Sequence, residues 1–155
     1  MKMKHLKGIA LAAAAVVGLA ACGGSSSSSD TTAAAGGDYS NLKVAVVYIG
    51  VPGDAGYTYQ HDQGIAELEA ELGITVTRLE NIPEGAESAA TFDQLAAEGY
   101  NLIFGTSFGY MDPMLEVSAK YPDVCFEHAT GYKTSTNLGT YFGAAEEARY
   151  LSGIA

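Results

Sequence analysis

The sequence predicts a doubly wound α/β domain, a parallel sheet held between helices. Three observations carry that prediction. Strand-like and helix-like segments alternate from Tyr39 onward. The connections between them are short, which favours parallel strands joined by helical crossovers. The first strand-like run, residues 42–49 (LKVAVVYI), is apolar at nearly every position and rich in valine, as a strand buried on both faces requires. Right-handed crossovers then place helices on both faces, and ligands in such sheets sit beyond the carboxyl ends of the strands.

Each element follows in order. Residues 57–72 place Ile65, Leu68 and Leu72 on one helical face, and Gly73 is suited to the left-handed residue that ends a helix. Residues 74–79 (ITVTRL) alternate as a second strand. Residues 85–98 read as a helix closed by Gly99, and 101–105 (NLIFG) as a third strand. Asp112-Pro113 has the pattern of a cap followed by a first-turn proline, opening a helix that runs to Tyr121. Residues 124–128 (VCFEH) and 138–142 (LGTYF) are the fourth and fifth strands, and a last helix begins at Ala144. About 115 ordered residues suffice for one such core. The final residues, 149–155, keep a helical pattern without a cap, so the sequence is expected to be a fragment whose second half is absent.

The segment before Tyr39 is of another kind. Lys2, Lys4 and Lys7 precede an apolar stretch, residues 8–21, that ends in small residues just before Cys22. That is the layout of a secretory signal over residues 1–21. As a helix the apolar stretch would span roughly 21 Å, short of a bilayer's ~30 Å core. Cys22 is placed as the lipid-bearing cysteine of a bacterial lipoprotein; the alternative is a plain cleavable signal with an incidental cysteine. Residues 23–37 (GGSSSSSDTTAAAGG) have no periodic apolar face, so 22–38 is expected to be a flexible tether and 39–155 the folded part.

Removing residues 1–21 leaves 5 basic residues against 18 acidic ones, a net charge of −13. Such a chain is not suited to nucleic acid, which demands clustered Lys and Arg. Membrane attachment would come from the lipid. In the processed chain Cys125 would be the one free thiol; its place in VCFEH predicts burial and inert packing.

Two loops after strands carry the chemistry, residues 53–62 (GDAGYTYQHD) and 106–113 (TSFGYMDP). They offer Tyr57, Tyr59, Phe108, Tyr110 and Met111 as flat or soft apolar surface, with Asp54 and Asp112 as acceptors. Aromatic plates with a few directed polar groups suit a planar heterocycle such as a purine. Tyr110 is expected to pack against the next helix. Asp54 has an alternative as an Asx turn before the first helix, and Asp112 one as a helix cap. Gly50, Gly53 and Gly56 loosely resemble a dinucleotide fingerprint, but Pro52 removes a donor and Asp54 puts negative charge where pyrophosphate would approach. His61-Asp62 and Glu127-His128 match no metal or nucleophile motif, and His61 is expected either to line the cleft or to face solvent. No catalytic residue, metal or cofactor is assigned.

Five strings in order, GYTYQHDQG, NIPEGA, GYNLIFGTSFGYMDP, FEHATGYKT and TYFGAAEEARYLSGI, resemble the basic membrane lipoprotein family over residues 43–155. Its members are substrate-binding lipoproteins of ABC importers, purine nucleoside receptors among them. The resemblance implies a type I periplasmic-binding fold, of which this chain is the amino-terminal lobe, on the extracytoplasmic face of the cell membrane. It further implies ABC permease partners and a purine base or nucleoside as ligand. Asp54 and Tyr57 match the family's first-strand aspartate and stacking aromatic; Phe108 and Asp112 match the aromatic and acid after its third strand. Nucleoside receptors carry Phe-Asn where this chain has Tyr57-Thr58. The Tyr-x-His-Asp variant resembles a branch associated with free bases, in which Tyr59 would close the space a sugar fills. The other readings are a binding protein for a sugar or similar polar metabolite, and a membrane-tethered signalling domain of the same fold.

Overall fold

The computed structural model describes residues 37–154. The signal, Cys22 and nearly all of the tether lie outside the described residues. Five parallel strands form one sheet: β1 (Val44–Val47), β2 (Val76–Leu79), β3 (Leu102–Gly105), β4 (Cys125–Ala129) and β5 (Leu138–Tyr141). Their spatial order is β2-β1-β3-β4-β5, so the order reverses at β1 and the crossovers place helices on opposite faces. Helix α1 (Tyr57–Leu72) links β1 to β2; α2 (Ala86–Ala97) and α3 (Met111–Ser118) precede β3 and β4; α4 (Glu146–Gly153) follows β5.

The alternation of side chains along β1 divides the core. Val44, Val46 and Tyr48 pack with Ile65 of α1 and Val76 of β2, while Leu68, Leu102 and Phe104 are half-buried around them. Ala45 and Val47 join the larger layer beneath α2 and α3, with Phe92, Ile103, Tyr110, Met114, Val117 and Phe126. All four β1 side chains are buried, which explains the unbroken valine-rich run. Gly105 ends β3 where only hydrogen fits, because a Cβ there would stand 2.3 Å from Met114 Sδ. Gly73 (φ 67°) ends α1 and Gly99 (φ 81°) follows α2, both in the left-handed region where glycine carries no steric penalty.

A mixed charge cluster ties α1 to β2. The Arg78 guanidinium donates to Asp62 Oδ1 (2.6 Å) and to Glu69 Oε2 (2.8 Å), while the Tyr48 hydroxyl donates to Asp62 Oδ1 (3.1 Å). Asp62 is thereby committed to the fold.

Cys125 corrects an expectation. It is exposed, although Phe126 beside it is fully buried. Phe126 and His128 point into the layer under α2 and α3, so Cys125 and Glu127 point the other way. There α1 packs over β1, β2 and β3, and none of the apolar cluster on that face comes from β4 or β5. The sheet is therefore covered on both faces only over part of its width among the described residues.

Candidate functional site

The loops after β1, β3, β4 and β5 meet at the carboxyl rim of the sheet. After β1 the chain makes a 3-10 turn, Pro52–Asp54, then turns through Ala55 in the left-handed region (φ 52°). Asp54 closes the start of α1. Its Oδ1 accepts from the amides of Gly56 (2.8 Å) and Tyr59 (3.0 Å), and its Oδ2 from that of Thr58 (3.0 Å). These bonds, the Gly56 amide first, hold the carboxyl below its ordinary range. The Asx-turn alternative is thus realised, and both oxygens are engaged with backbone.

Tyr57, the first residue of α1, remains 45% exposed. One turn later His61 presents its ring edge-on, with centroids 4.6 Å apart and planes at 68°. His61 Nδ1 lies 3.4 Å from the Tyr141 hydroxyl at the end of β5. Burial lowers the His61 pKa and raises those of the Tyr57 and Tyr141 hydroxyls. All three therefore stand neutral near pH 7, offering ring faces and hydroxyls but no formal charge. Thr130 completes the group just after β4, with φ 71°, a backbone rarely adopted by a β-branched residue. Tyr57, Gln60, His61, Thr130 and Tyr141 line an open cavity of about 940 Å³ together with residues 142–145, Ala148 and Arg149. A smaller space of about 290 Å³ adjoins it between α1 and the sheet, against Ile65, Leu68 and Phe104. Such a volume accommodates a small organic ligand.

The second predicted loop stands on a neighbouring part of the rim. Phe108 lies in a 3-10 turn, Phe108–Tyr110, and is 56% exposed. Its nearest ring is Tyr132, at 6.4 Å between centroids. The expected Asp112 cap is corrected: the chain enters α3 through that turn, the cap position falls on Tyr110, and no side chain caps the helix. Asp112 lies within the first turn and pairs with Lys133 at 2.6 Å. Tyr110 and Met111 are buried rather than presented at the rim; Tyr110 packs, as expected, but its edge-on partner is Phe92 of the preceding helix α2 rather than a ring of the next one.

Of the predicted residues, then, Tyr57 lies in the cavity with His61; Phe108 and Asp112 stand together outside its lining. Tyr59, two positions after Tyr57, projects from a different side of α1 and does not line that cavity. Thr130, Tyr132 and Tyr141 were not singled out from sequence. A signal existed: each sits at or just after the end of a strand, and Tyr141 pairs in register with Ala129.

A family model described as ABC transporter substrate-binding protein PnrA-like matches residues 41–155. A purine-binding protein of Brucella abortus strain 2308 is 52% identical over 115 residues, covering 73% of this chain and 33% of the relative. A protein of Haloferax volcanii named as a glucose-binding protein of an ABC transporter is 41% identical over 114 residues, covering 74% of this chain and 29% of the relative. The chain thus spans about a third of the length of the curated relatives it matches. Among solved structures, a solute-binding protein of an ABC transporter system from Aeropyrum pernix K1 superimposes with a TM-score of 0.64 at 24% identity, over 73% of this chain and 31% of that one. That likeness concerns the fold.

Proposed function

The chain belongs to the PnrA-like family of ABC transporter substrate-binding proteins, and we propose that it captures a purine base or nucleoside for an importer. The observation that carries this reading is the cavity framed by the Tyr57, His61 and Tyr141 rings, within the region that is 52% identical to a purine-binding relative. A planar heterocycle between such rings gains about 0.5–1.5 kcal/mol per stacked pair beyond area burial. Hydroxyl and imidazole groups supply the directed bonds that separate one base from another. In this reading the protein is a receptor and not an enzyme. It hands its ligand to permease subunits at the extracytoplasmic face, held there by a lipid on Cys22 and a tether over 22–38.

The test is a thermal-shift series on the full-length protein with adenine, guanine, their nucleosides, glucose and pentoses. A purine at a hundred times its Kd stabilises by about 2.7 kcal/mol and raises Tm, while the sugars leave it unchanged. Silence to every purine overturns the reading. The second reading, a sugar as ligand, is favoured by the 41% identity to a protein named for glucose; a shift with glucose alone would establish it.

A further inference from the structure

Glu84 lies in the NIPEGA loop between β2 and α2, outside the two loops singled out for binding, and its carboxylate reaches across to the turn that carries Phe108. A single oxygen, Glu84 Oε1, accepts from the Ser107 hydroxyl (2.5 Å) and from the Gly109 amide (2.9 Å). Those two residues flank Phe108. The fit is close: a Cβ on Gly109 would stand 2.2 Å from the Glu84 carboxyl carbon. From the other side, His128 Nε2 donates to the Ser107 carbonyl (2.6 Å), and the Tyr110 hydroxyl donates to the Ile82 carbonyl. The backbone around Phe108 is therefore held by β4 on one flank and by residues 82–84 on the other. The ring itself stays exposed. A loop fixed so firmly around a solvent-facing phenylalanine is not explained by core packing, since the ring adds little to the core.

We propose that Glu84 is a positioning residue that presets the Phe108 ring for ligand. The proposal rests on the purine reading above and extends it: Phe108, outside the lining of the cavity framed by Tyr57, His61 and Tyr141, is taken to face the bound base from the neighbouring loop. The advantage is pre-organisation: a ring already in its bound orientation loses little freedom when the ligand arrives. A carboxylate is suited to the task because charge-assisted bonds to an amide and a hydroxyl are stronger than neutral ones.

The test uses the full-length protein, adenine titrated by calorimetry, and hydrogen exchange at the Gly109 amide without ligand. Glu84→Ala should speed exchange at Gly109 and raise the adenine Kd, each about tenfold, the change expected from losing a hydrogen bond of this class. Glu84→Gln should fall between wild type and Glu84→Ala, because the glutamine oxygen can still accept from both donors but without the charge. Gly109→Ala should match Glu84→Ala, since the methyl group displaces the carboxylate, and should add nothing to it. In a Phe108→Ala background, Glu84→Ala should leave adenine affinity unchanged, which a purely structural role would not predict. Unaltered exchange at Gly109 overturns the proposal, and so does an equal loss of affinity with and without Phe108. If the wild-type protein binds neither adenine nor any other purine, the purine reading falls; exchange at Gly109 then decides separately whether Glu84 holds the turn.

Discussion

The Asn137 side-chain amide donates to the Val124 carbonyl at 2.8 Å, joining the approach to β5 to the start of β4. The same nitrogen lies 2.9 Å from the Tyr121 carbonyl and 3.1 Å from that of Ser118. One NH2 group thus serves three acceptors, among them the carbonyl of Ser118, the last residue of α3, which has no partner within the helix. Asn137→Ala should destabilise the fold by about 2 kcal/mol by removing the donor that the Ser118 and Val124 carbonyls share, while the Tyr121 carbonyl keeps the Val124 amide. Asn137→Asp should be worse than alanine, because it turns a fourth acceptor toward the three already there. Urea melts of the two variants decide; aspartate equal to wild type would remove Asn137 from this role.

Arg78 bridges Asp62 and Glu69 at 2.6 and 2.8 Å with side chains mostly out of solvent. Arg78→Ala strands two carboxylates and should cost about 3 kcal/mol. Arg78→Lys should recover only part of this, since an ammonium cannot reproduce the forked geometry. Tyr48→Phe should cost about 1 kcal/mol through the lost bond to Asp62. Chemical denaturation of the three variants gives the ranking directly.

Acid should weaken the fold in two stages. Burial lowers the pKa values of His61 and His128 below the ordinary 6.5. The unfolded chain therefore takes up protons first, and stability falls as pH drops below 6.5 toward the folded values. Glu69 is lowered chiefly by the Arg78 side chain, and Asp54 by the Gly56 amide. Their contribution is full above the ordinary carboxylate range and is lost as pH falls through their folded values. His61→Phe should reduce the first stage and leave the second. A Tm that stays flat from pH 7 to 5 would contradict the assignment of neutral, buried imidazoles.

Tyr57→Ala should weaken purine binding at least tenfold while lowering Tm little, because the ring is nearly half exposed and serves the cavity more than the core. Tyr57→Phe should retain most affinity, as the stacking face remains. Equal loss in both variants would shift the weight from the ring to the hydroxyl beside Thr130.

Helix α1 was legible from sequence to its last residue, since the spacing of Ile65 and Leu68 and the stop at Gly73 all act locally. The strand ends were read less well: β1 was taken two residues too long at each end, β2 two too long at its start, β3 and β5 one too long, and β4 one residue early. Ile74 and Thr75 continue the pattern of β2, but the ladder begins where Val76 meets Val44, a fact no local pattern contains. Cys125 shows the same limit: alternation separates its side from that of Phe126, yet which side is covered depends on where α1 lies. At the rim, Asp112-Pro113 looked like a cap because the turn from Phe108 to Tyr110, which moves the helix start upstream, is a tertiary product of Glu84 and His128. Tyr57 was legible because it follows the first strand. Its partners Thr130 and Tyr141 come from distant strands, and only the sheet order brings them beside it.

Asp54 has a bearing on which solutes this rim could refuse. The exposed donors at a helix start ordinarily welcome an anion. Here the chain has supplied its own counter-ion from three residues upstream, so the socket is filled before any solute arrives. A phosphorylated metabolite approaching α1 would meet a fixed negative group instead of bare amides, whereas an uncharged solute would pay no such toll. In the reading proposed above, the same short turn that starts the helix would favour neutral cargo over its phosphate esters.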